Sequence, residues 1–320
     1  MKVLVTGANG VVGRAVLRRL LDMRGMHAVG SLRRTGPDMS ENAPFVVVGD
    51  LSAQTDWSHA LDGVNTVVHA AARVHVMNDT TVDSLLEFRR VNVQGTLALA
   101  RQASALGVKR FVFISSVKAN GEETQPGQPF TTDDVLAPVD PYGISKMESE
   151  QGLSELAAQT GLEVVIIRPP LVYGPDVKAN FLAMMRWLKR GVPLPLGAIH
   201  NLRSLVALDN LVDLIVTCVE SPAAANQTFL VSDGDDLSTT ELLRRMGSAL
   251  GTPARLIPVP SELLRFGAAL VGRPDIAQRL CGSLQVDITK TRQVLGWQPP
   301  VSVDEGLRKA AEGYLREAIV

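Results

Sequence analysis

The chain has 320 residues, 46% of them hydrophobic, and a formal net charge of -1. That length exceeds one domain of ordinary size, and the apolar share supplies a sizeable core. With 32 Lys and Arg against 33 Asp and Glu, the composition argues against the broad basic surface that nucleic acid binding requires.

In chain order, the first half alternates short β-branched runs with longer helical patterns. Strands are expected at 2–6, 28–32, 45–48, 66–69, 111–115 and 163–168, with helices at 13–22, 57–61, 82–105 and 146–160. The alternation implies an α/β fold with a parallel sheet and crossover helices. The strands are apolar throughout, as expected when both sheet faces are covered. After Arg168 the pattern loosens, and Pro169, Pro170, Pro175, Pro193 and Pro195 punctuate it. A helix is expected at 181–190, then a strand at 204–207, a helix at 211–219 and a strand at 228–231, the last three rejoining the first sheet. Helices at 239–250, 262–271, 290–295 and 303–316 complete the chain. Thr239-Thr240-Glu241 opens the first of these with capping residues.

The two cysteines, Cys218 and Cys281, fit no metal-ligand spacing and read as reduced packing thiols of a cytoplasmic protein. The chain opens on a strand with no charged leader before an apolar run. No apolar stretch approaches the ~20 residues of a membrane span. The nearest, 263–271, is short and contains Arg265. The expectation is therefore no metal, no nucleic acid partner and no membrane span.

The first strand runs into Thr6-Gly7-Ala8-Asn9-Gly10-Val11-Val12-Gly13. Glycines at that spacing permit the turn, let backbone amides approach phosphate and let the following helix pack tightly. A strand, a glycine-rich turn and a helix in that order hold a dinucleotide pyrophosphate. Gly7, Asn9, Gly10, Val11, Val12 and Gly13 are the candidate turn contacts. An acidic residue after the second strand would favour NAD. The chain instead has Arg33 and Arg34, whose guanidiniums suit a 2′-phosphate, so NADPH is favoured over NADH. Asp50 can accept from the adenine amino group while Leu51 covers the ring. Ala70, Ala71 and Ala72 are small enough for close cofactor approach. Asn92 either holds strand and loop backbone near the site or caps a local hydrogen bond.

Tyr142 and Lys146 stand four apart in Pro141-Tyr142-Gly143-Ile144-Ser145-Lys146, on one helical face. A free tyrosine titrates near pH ~10, so acid/base work near neutrality needs its phenolate favoured by roughly three units. The Lys146 ammonium and an oxidised nicotinamide are the two cations that can supply this. The strand 111–115 ends in Ser115-Ser116, and strand C-termini face the ligand crevice of open α/β sheets. Ser116 is the candidate to orient a substrate oxygen beside the tyrosine.

These residues, with Asp50-Leu51 and Arg168-Pro169-Pro170-Leu171-Val172-Tyr173-Gly174-Pro175, resemble the extended short-chain dehydrogenase/reductases. Within them the likeness is to nucleotide-sugar epimerases and reductases related to UDP-glucose 4-epimerase, and it covers essentially the whole chain. The resemblance implies a Rossmann-type doubly wound parallel sheet, 1–171 plus 204–231, with a smaller, mostly helical substrate domain, 172–203 plus 232–320. It implies Ser116, Tyr142 and Lys146 as catalytic, Pro169 beside the cofactor, and Asn180 and Arg203 on the substrate diphosphate or uridine. Ser115 is a further candidate substrate contact. It also implies a homodimer through the helices at 82–105 and 146–160.

Epimerases of this type carry tyrosine-glycine shortly after the serine strand. Here the chain has Val117-Lys118-Ala119-Asn120-Gly121, and Lys118 places a cation at the crevice mouth, for substrate or as a solvated charge. That segment and Leu280-Cys281-Gly282-Ser283-Leu284-Gln285-Val286-Asp287 resemble a narrower branch, reductases of bacterial O-antigen synthesis. The function expected is NAD(P)H-dependent reduction of the C4 ketone of a UDP-4-keto-6-deoxy-N-acetylhexosamine. The alternative is an NAD-dependent 4-epimerase acting on a UDP-N-acetylhexosamine or UDP-glucose. A non-catalytic NADP-binding regulator is a third reading, disfavoured by the intact Tyr142/Lys146 pair.

Overall fold

The computed structural model describes residues 1–34, 44–74, 84–125, 127–177, 180–270 and 272–317. Strand β1 (Lys2–Thr6) leads through the glycine turn into α1 (Val11–Leu21). Strands β2 (His27–Leu32) and β3 (Phe45–Val47), helix α2 (Ser58–Leu61) and strand β4 (Thr66–His69) follow. Helix α3 (Ser84–Phe88) passes through a π-helical segment (Arg89–Gly95) into α4 (Thr96–Ala105). Then come β5 (Arg110–Ile114), a 3-10 turn (Val117–Ala119), α5 (Pro141–Thr160) and β6 (Glu163–Arg168).

Among the described residues the main sheet has seven parallel strands in the order β3-β2-β1-β4-β5-β6, closed at its far edge by β9 (Thr228–Leu230). The strand order reverses direction between β1 and β4, so the ligand crevice lies beyond the carboxyl ends of these two strands. Alternate strand residues feed two cores. Val3, Val5, Val68 and Val112 pack on one face with Leu20 of α1 and with Leu211 and Ile215. Leu4, Val67, Phe111 and Phe113 pack on the other with Leu99 of α4 and Leu153 of α5. Two covered faces explain why the strands read as unbroken apolar runs.

The strand expected at 204–207 does not rejoin this sheet. Strand β7 (Leu171–Tyr173), not anticipated from sequence, pairs in parallel with β8 (Leu205–Ala207) in a separate two-stranded sheet, Leu171 opposite Leu205. Pro169 and Pro170 have no N–H to donate to a ladder, so the chain leaves the main sheet there. Helix α6 (Asn180–Lys189) lies between the two short strands, and α7 (Leu208–Glu220) follows β8 and packs against α1. Beyond β9 come α8 (Thr239–Ala249), α9 (Ser261–Leu270), α10 (Pro274–Cys281), α11 (Thr289–Leu295) and α12 (Val303–Glu317). A third core joins Tyr173 and Leu205 to Phe181, Leu243, Met246 and Leu307. Leu284, Val286, Ile288 and Trp297 pack instead into the core beneath α1 and α7.

Two helix boundaries also depart from expectation. The single helix expected at 82–105 is interrupted by the π segment, and its first two residues lie outside the described ones. Helix α5 begins at Pro141, five residues before the expected start. The Asp140 side chain caps it by accepting from the Gly143 amide at 2.6 Å, and Pro141 suits the first helical position. Tyr142 therefore sits in the first turn of the helix. Cys218 and Cys281 are both buried free thiols, and burial raises the Cys218 thiol to about 12. No helix of the described residues is long and apolar enough to cross a membrane.

Candidate active site

The glycine turn is built by backbone contact. Gly7 has φ +67°, and a Cβ there would lie 2.8 Å from the Ala71 nitrogen. A Cβ on Gly13 would lie 2.3 Å from the Gly7 carbonyl oxygen. The Gly10 amide donates to that same oxygen at 2.9 Å. Helix α1 starts after Gly10 with no capping side chain and no acidic residue in its first turn. Its leading amides are thus left for an anion, and the turn fits a dinucleotide pyrophosphate. Asn9 and Gly10 are exposed and Val11 and Val12 half-buried at this mouth.

Across the crevice, the loop after β4 is held by Asn92. This side chain, 1% exposed in the π segment, accepts from the Arg73 amide at 2.8 Å and donates to the Arg73 carbonyl at 3.0 Å. It also donates to the Ser145 hydroxyl at 3.0 Å, tying the loop to α5. Of the two roles open from sequence, Asn92 thus holds loop backbone, fixing the position of Ala70, Ala71 and Ala72. Replacing Asn92 by Leu is expected to cost about 1–3 kcal/mol by removing its hydrogen bonds to the Arg73 backbone and the Ser145 hydroxyl, measurable by denaturant unfolding. Beneath this loop His69 is buried between the Thr6 hydroxyl at 2.7 Å and the Thr96 hydroxyl at 2.9 Å. Burial, with the Lys146 charge, lowers its pKa to about 3, so the imidazole is neutral.

Tyr142 and Lys146 share one face of α5. The Tyr142 ring meets Phe88 edge-on at 6.0 Å, and the Lys146 ammonium lies 5.8 Å from the Tyr142 ring centroid and 4.5 Å from that of Phe113. Lys146 donates to the Ile114 carbonyl at 2.8 Å. Burial draws the ammonium down to about 7, against the pull of the Glu150 charge. Burial, with Asp140, pushes the Tyr142 phenol well above its ordinary value. This is opposite to the direction that acid/base work requires, so the lysine alone does not supply it. Ser116 caps the 3-10 turn by accepting from the Lys118 amide at 3.2 Å and remains half-buried at the strand end. Gly143 allows α5 to approach that turn, since a Cβ there would lie 2.6 Å from the Lys118 carbonyl oxygen. Pro169 accepts from the Val117 amide at 3.0 Å, joining β6's exit to the serine loop.

Several expected contacts are engaged elsewhere. Ser115 is 3% exposed and donates to the Glu150 carboxylate, so it turns away from the crevice; successive strand residues point to opposite faces. Lys118 pairs with Asp140, and with Glu122 at 3.6 Å, so its charge is already matched. Arg203 donates to the Arg279 and Gly282 carbonyls, both at 3.1 Å, at the end of α10. The Asn180 side chain lies outside the described residues. Arg33 and Arg34 are exposed beyond β2, and Arg33 stands 4.0 Å from the exposed Asp50 carboxylate. Leu51 is buried, with its side chain against Gly95 of the π segment.

Sequence reasoning missed the network behind the serine strand. Glu150 accepts from Arg168 at 2.7 Å, and Arg168 donates to Asn120 at 3.2 Å, all three residues being buried. Its signal was available, because Glu150 follows Lys146 by four residues as Lys146 follows Tyr142.

Comparison with known proteins bears on this site. The NAD dependent epimerase/dehydratase family matches residues 3–232. A UDP-glucose 4-epimerase of Vibrio cholerae is 48% identical over 315 residues, covering 98% of this chain and 95% of its own. Two solved structures share the fold over nearly their whole length. They are UDP-glucuronic acid 4-epimerase from Bacillus cereus in complex with NAD (TM-score 0.79, 20% identity, 99% of each chain) and UDP-glucose 4-epimerase with UDP-glucose from Thermotoga maritima (TM-score 0.78, 24% identity, 100% of each). The near-full-length likeness to a 4-epimerase overturns the expected C4 reduction of a UDP-4-keto-6-deoxy-N-acetylhexosamine. Lys118, in the segment that had favoured a reductase branch, is paired with Asp140. The parallel sheet with its reversal at β1 and β4, the glycine cradle below α1 and the match over residues 3–232 converge, and the chain belongs to the NAD dependent epimerase/dehydratase family.

Proposed function

We propose that the protein is a 4-epimerase of a UDP-hexose, with UDP-glucose the first candidate substrate and NAD the resident cofactor. The observation that carries this reading is 48% identity to a UDP-glucose 4-epimerase across 98% of the chain, with Ser116, Tyr142 and Lys146 in place. The cofactor held by these residues would supply a reversible hydride acceptor for C4, the hydride returning to the opposite face of the sugar ring. Tyr142, as the phenolate, would take the C4 hydroxyl proton and, as the phenol so formed, give it back. Ser116 would orient the C4 oxygen, and Lys146 would hold the nicotinamide ribose and favour the phenolate.

The amides at the start of α1, with Gly7, Gly10 and Gly13, would hold the pyrophosphate. Asp50 and Leu51 would meet the adenine, and Ala70 to Ala72 and Pro169 would line the nicotinamide side. NAD is preferred to the expected NADPH because similar solved structures are complexes with NAD, and the surroundings of Arg33 agree. Asp50 stands 4.0 Å from Arg33, so a 2′-phosphate reaching that guanidinium would meet a carboxylate of like charge. Asn180 and Arg203 remain the candidates for the substrate diphosphate. A homodimer through α4 and α5 belongs to the same proposal.

The test is proton NMR of UDP-glucose incubated with the purified protein and no added cofactor. Appearance of UDP-galactose, with NAD released when the protein is denatured, is the expected result. An unchanged sugar and no released nucleotide would overturn the reading.

A further inference from the structure

Tyr142, Lys146 and Glu150 recur every four residues along α5, on one face of the helix. Glu150 is 3% exposed, and its carboxylate is fully engaged. One oxygen accepts from the Ser115 hydroxyl and from Arg168 Nε at 3.1 Å. The other accepts from Arg168 Nη2 at 2.7 Å and Nε at 3.1 Å. Arg168 is 5% exposed, on β6, and its remaining nitrogen is directed to Asn120 Oδ1. A buried ion pair is a weak stability device, since apolar residues of similar volume often serve as well or better. The position of this pair suggests another use: its carboxylate stands one helical turn beyond Lys146 and accepts from Ser115, next to the Ile114 carbonyl that Lys146 binds.

Among the described residues, the other charged groups near Lys146 are neutral or paired, and the Arg73 guanidinium lies over the Phe88 ring. His69 on β4 is neutral and Tyr142 protonated. Lys118 on the 3-10 turn pairs with Asp140 at the start of α5. In the π segment, Arg89 pairs with Glu148 of α5, and Arg90 with Glu87 of α3. Arg110 at the far end of β5 pairs with Glu163 of β6. Against burial, which lowers the Lys146 ammonium, Glu150 supplies the opposing pull. We propose that Glu150, anchored by Arg168 and Ser115, is a positioning residue that keeps Lys146 charged for the cofactor ribose and the Tyr142 phenolate. The inference rests on the reading of Lys146 as a cofactor ligand.

The test is equilibrium NAD binding to the full-length chain freed of bound nucleotide, without sugar, from pH 4.5 to 9.5. It compares wild type, Glu150→Gln, Lys146→Met and the double variant Glu150→Gln/Arg168→Gln. The double variant leaves no unpaired buried guanidinium and guards against failure of the single variant to fold. In wild type, affinity is expected to fall as pH rises through about 7, where Lys146 loses its proton, and Lys146→Met should lack that limb. Removing the Glu150 charge should move the limb to lower pH by about one unit, giving about tenfold weaker binding between the two limbs and recovery at lower pH. A merely structural pair would weaken binding by the same factor at every pH, or leave the limb in place, and either result overturns the proposal. No NAD binding by wild type at any pH would instead overturn the reading of the site, and this inference with it. Absence of epimerisation alone leaves the binding experiment decisive.

Discussion

Replacing Tyr142 by Phe is expected to lower the rate of UDP-glucose epimerisation by about a thousandfold, within the usual range for loss of a general acid/base, while the protein stays folded. The ring keeps its edge contact with Phe88 at 6.0 Å. The Asp140 cap and the Gly143 approach that set the start of α5 do not involve the phenol oxygen. What is lost is the one phenol on the Lys146 face of the helix. The structure adds a condition to this prediction. Burial and Asp140 hold the phenol protonated, and the Lys146 ammonium, 5.8 Å from the ring, does not reverse that. The second cation has to come with the oxidised cofactor. Tyrosinate absorbance, taken as the difference between wild type and Tyr142→Phe, should therefore appear at lower pH once NAD is added. Retention of most of the activity in Tyr142→Phe would remove this residue from the reaction.

Gly13→Ala is expected to be the most damaging single methyl group in the glycine turn. The new Cβ would sit 2.3 Å from the Gly7 carbonyl oxygen and 2.7 Å from its carbon. Both are backbone atoms, and that oxygen also accepts from the Gly10 amide. Relief requires α1 to move away from β1, which takes the helix amides from the position where the pyrophosphate would sit. A stability cost of about 1–3 kcal/mol is expected, as for other insertions into tight packing, with at least about tenfold weaker NAD binding. Gly267→Ala is the control, because a Cβ at that helical position meets nothing within 4 Å. It should leave binding unchanged and slightly favour the helix. Equal effects of the two substitutions on denaturant unfolding and NAD titration would contradict the account of the turn.

The parts of the fold legible in the sequence are those where one residue type answers one physical demand. Strands covered on both faces need apolar side chains at every position, so β1, β4, β5 and β6 stood out. The glycine turn was legible because nothing larger fits against the Gly7 carbonyl or Ala71. Capping chemistry was equally available at Asp140-Pro141, yet the expected helix began at Lys146. The π segment left no such trace, because a shift in hydrogen-bond register changes no composition. Strand β8 was misplaced because a short apolar run does not say which partner it pairs with.

The site followed the same division. Tyr142, Lys146 and Ser116 could be picked out as candidates from helix spacing and strand ends. The charge environment was not, because it depends on residues remote in sequence. Leu32 pairs with Val47 across β2 and β3, and that register brings Asp50 beside Arg33. Of the two arginines that looked free for a phosphate, Arg33 thereby acquires a carboxylate neighbour. Ser115 looked like a further substrate contact, but its hydroxyl donates to Glu150 instead.

The most direct measurement is the fate of deuterium at C4. UDP-glucose labelled there is incubated with the purified protein in ordinary water, with unlabelled NADH present in excess. The account predicts UDP-galactose that keeps the label at C4, because hydride leaves and returns within one bound complex while only the hydroxyl proton passes through Tyr142. Product that has lost the deuterium, or deuterium recovered in the free nicotinamide pool, would contradict it.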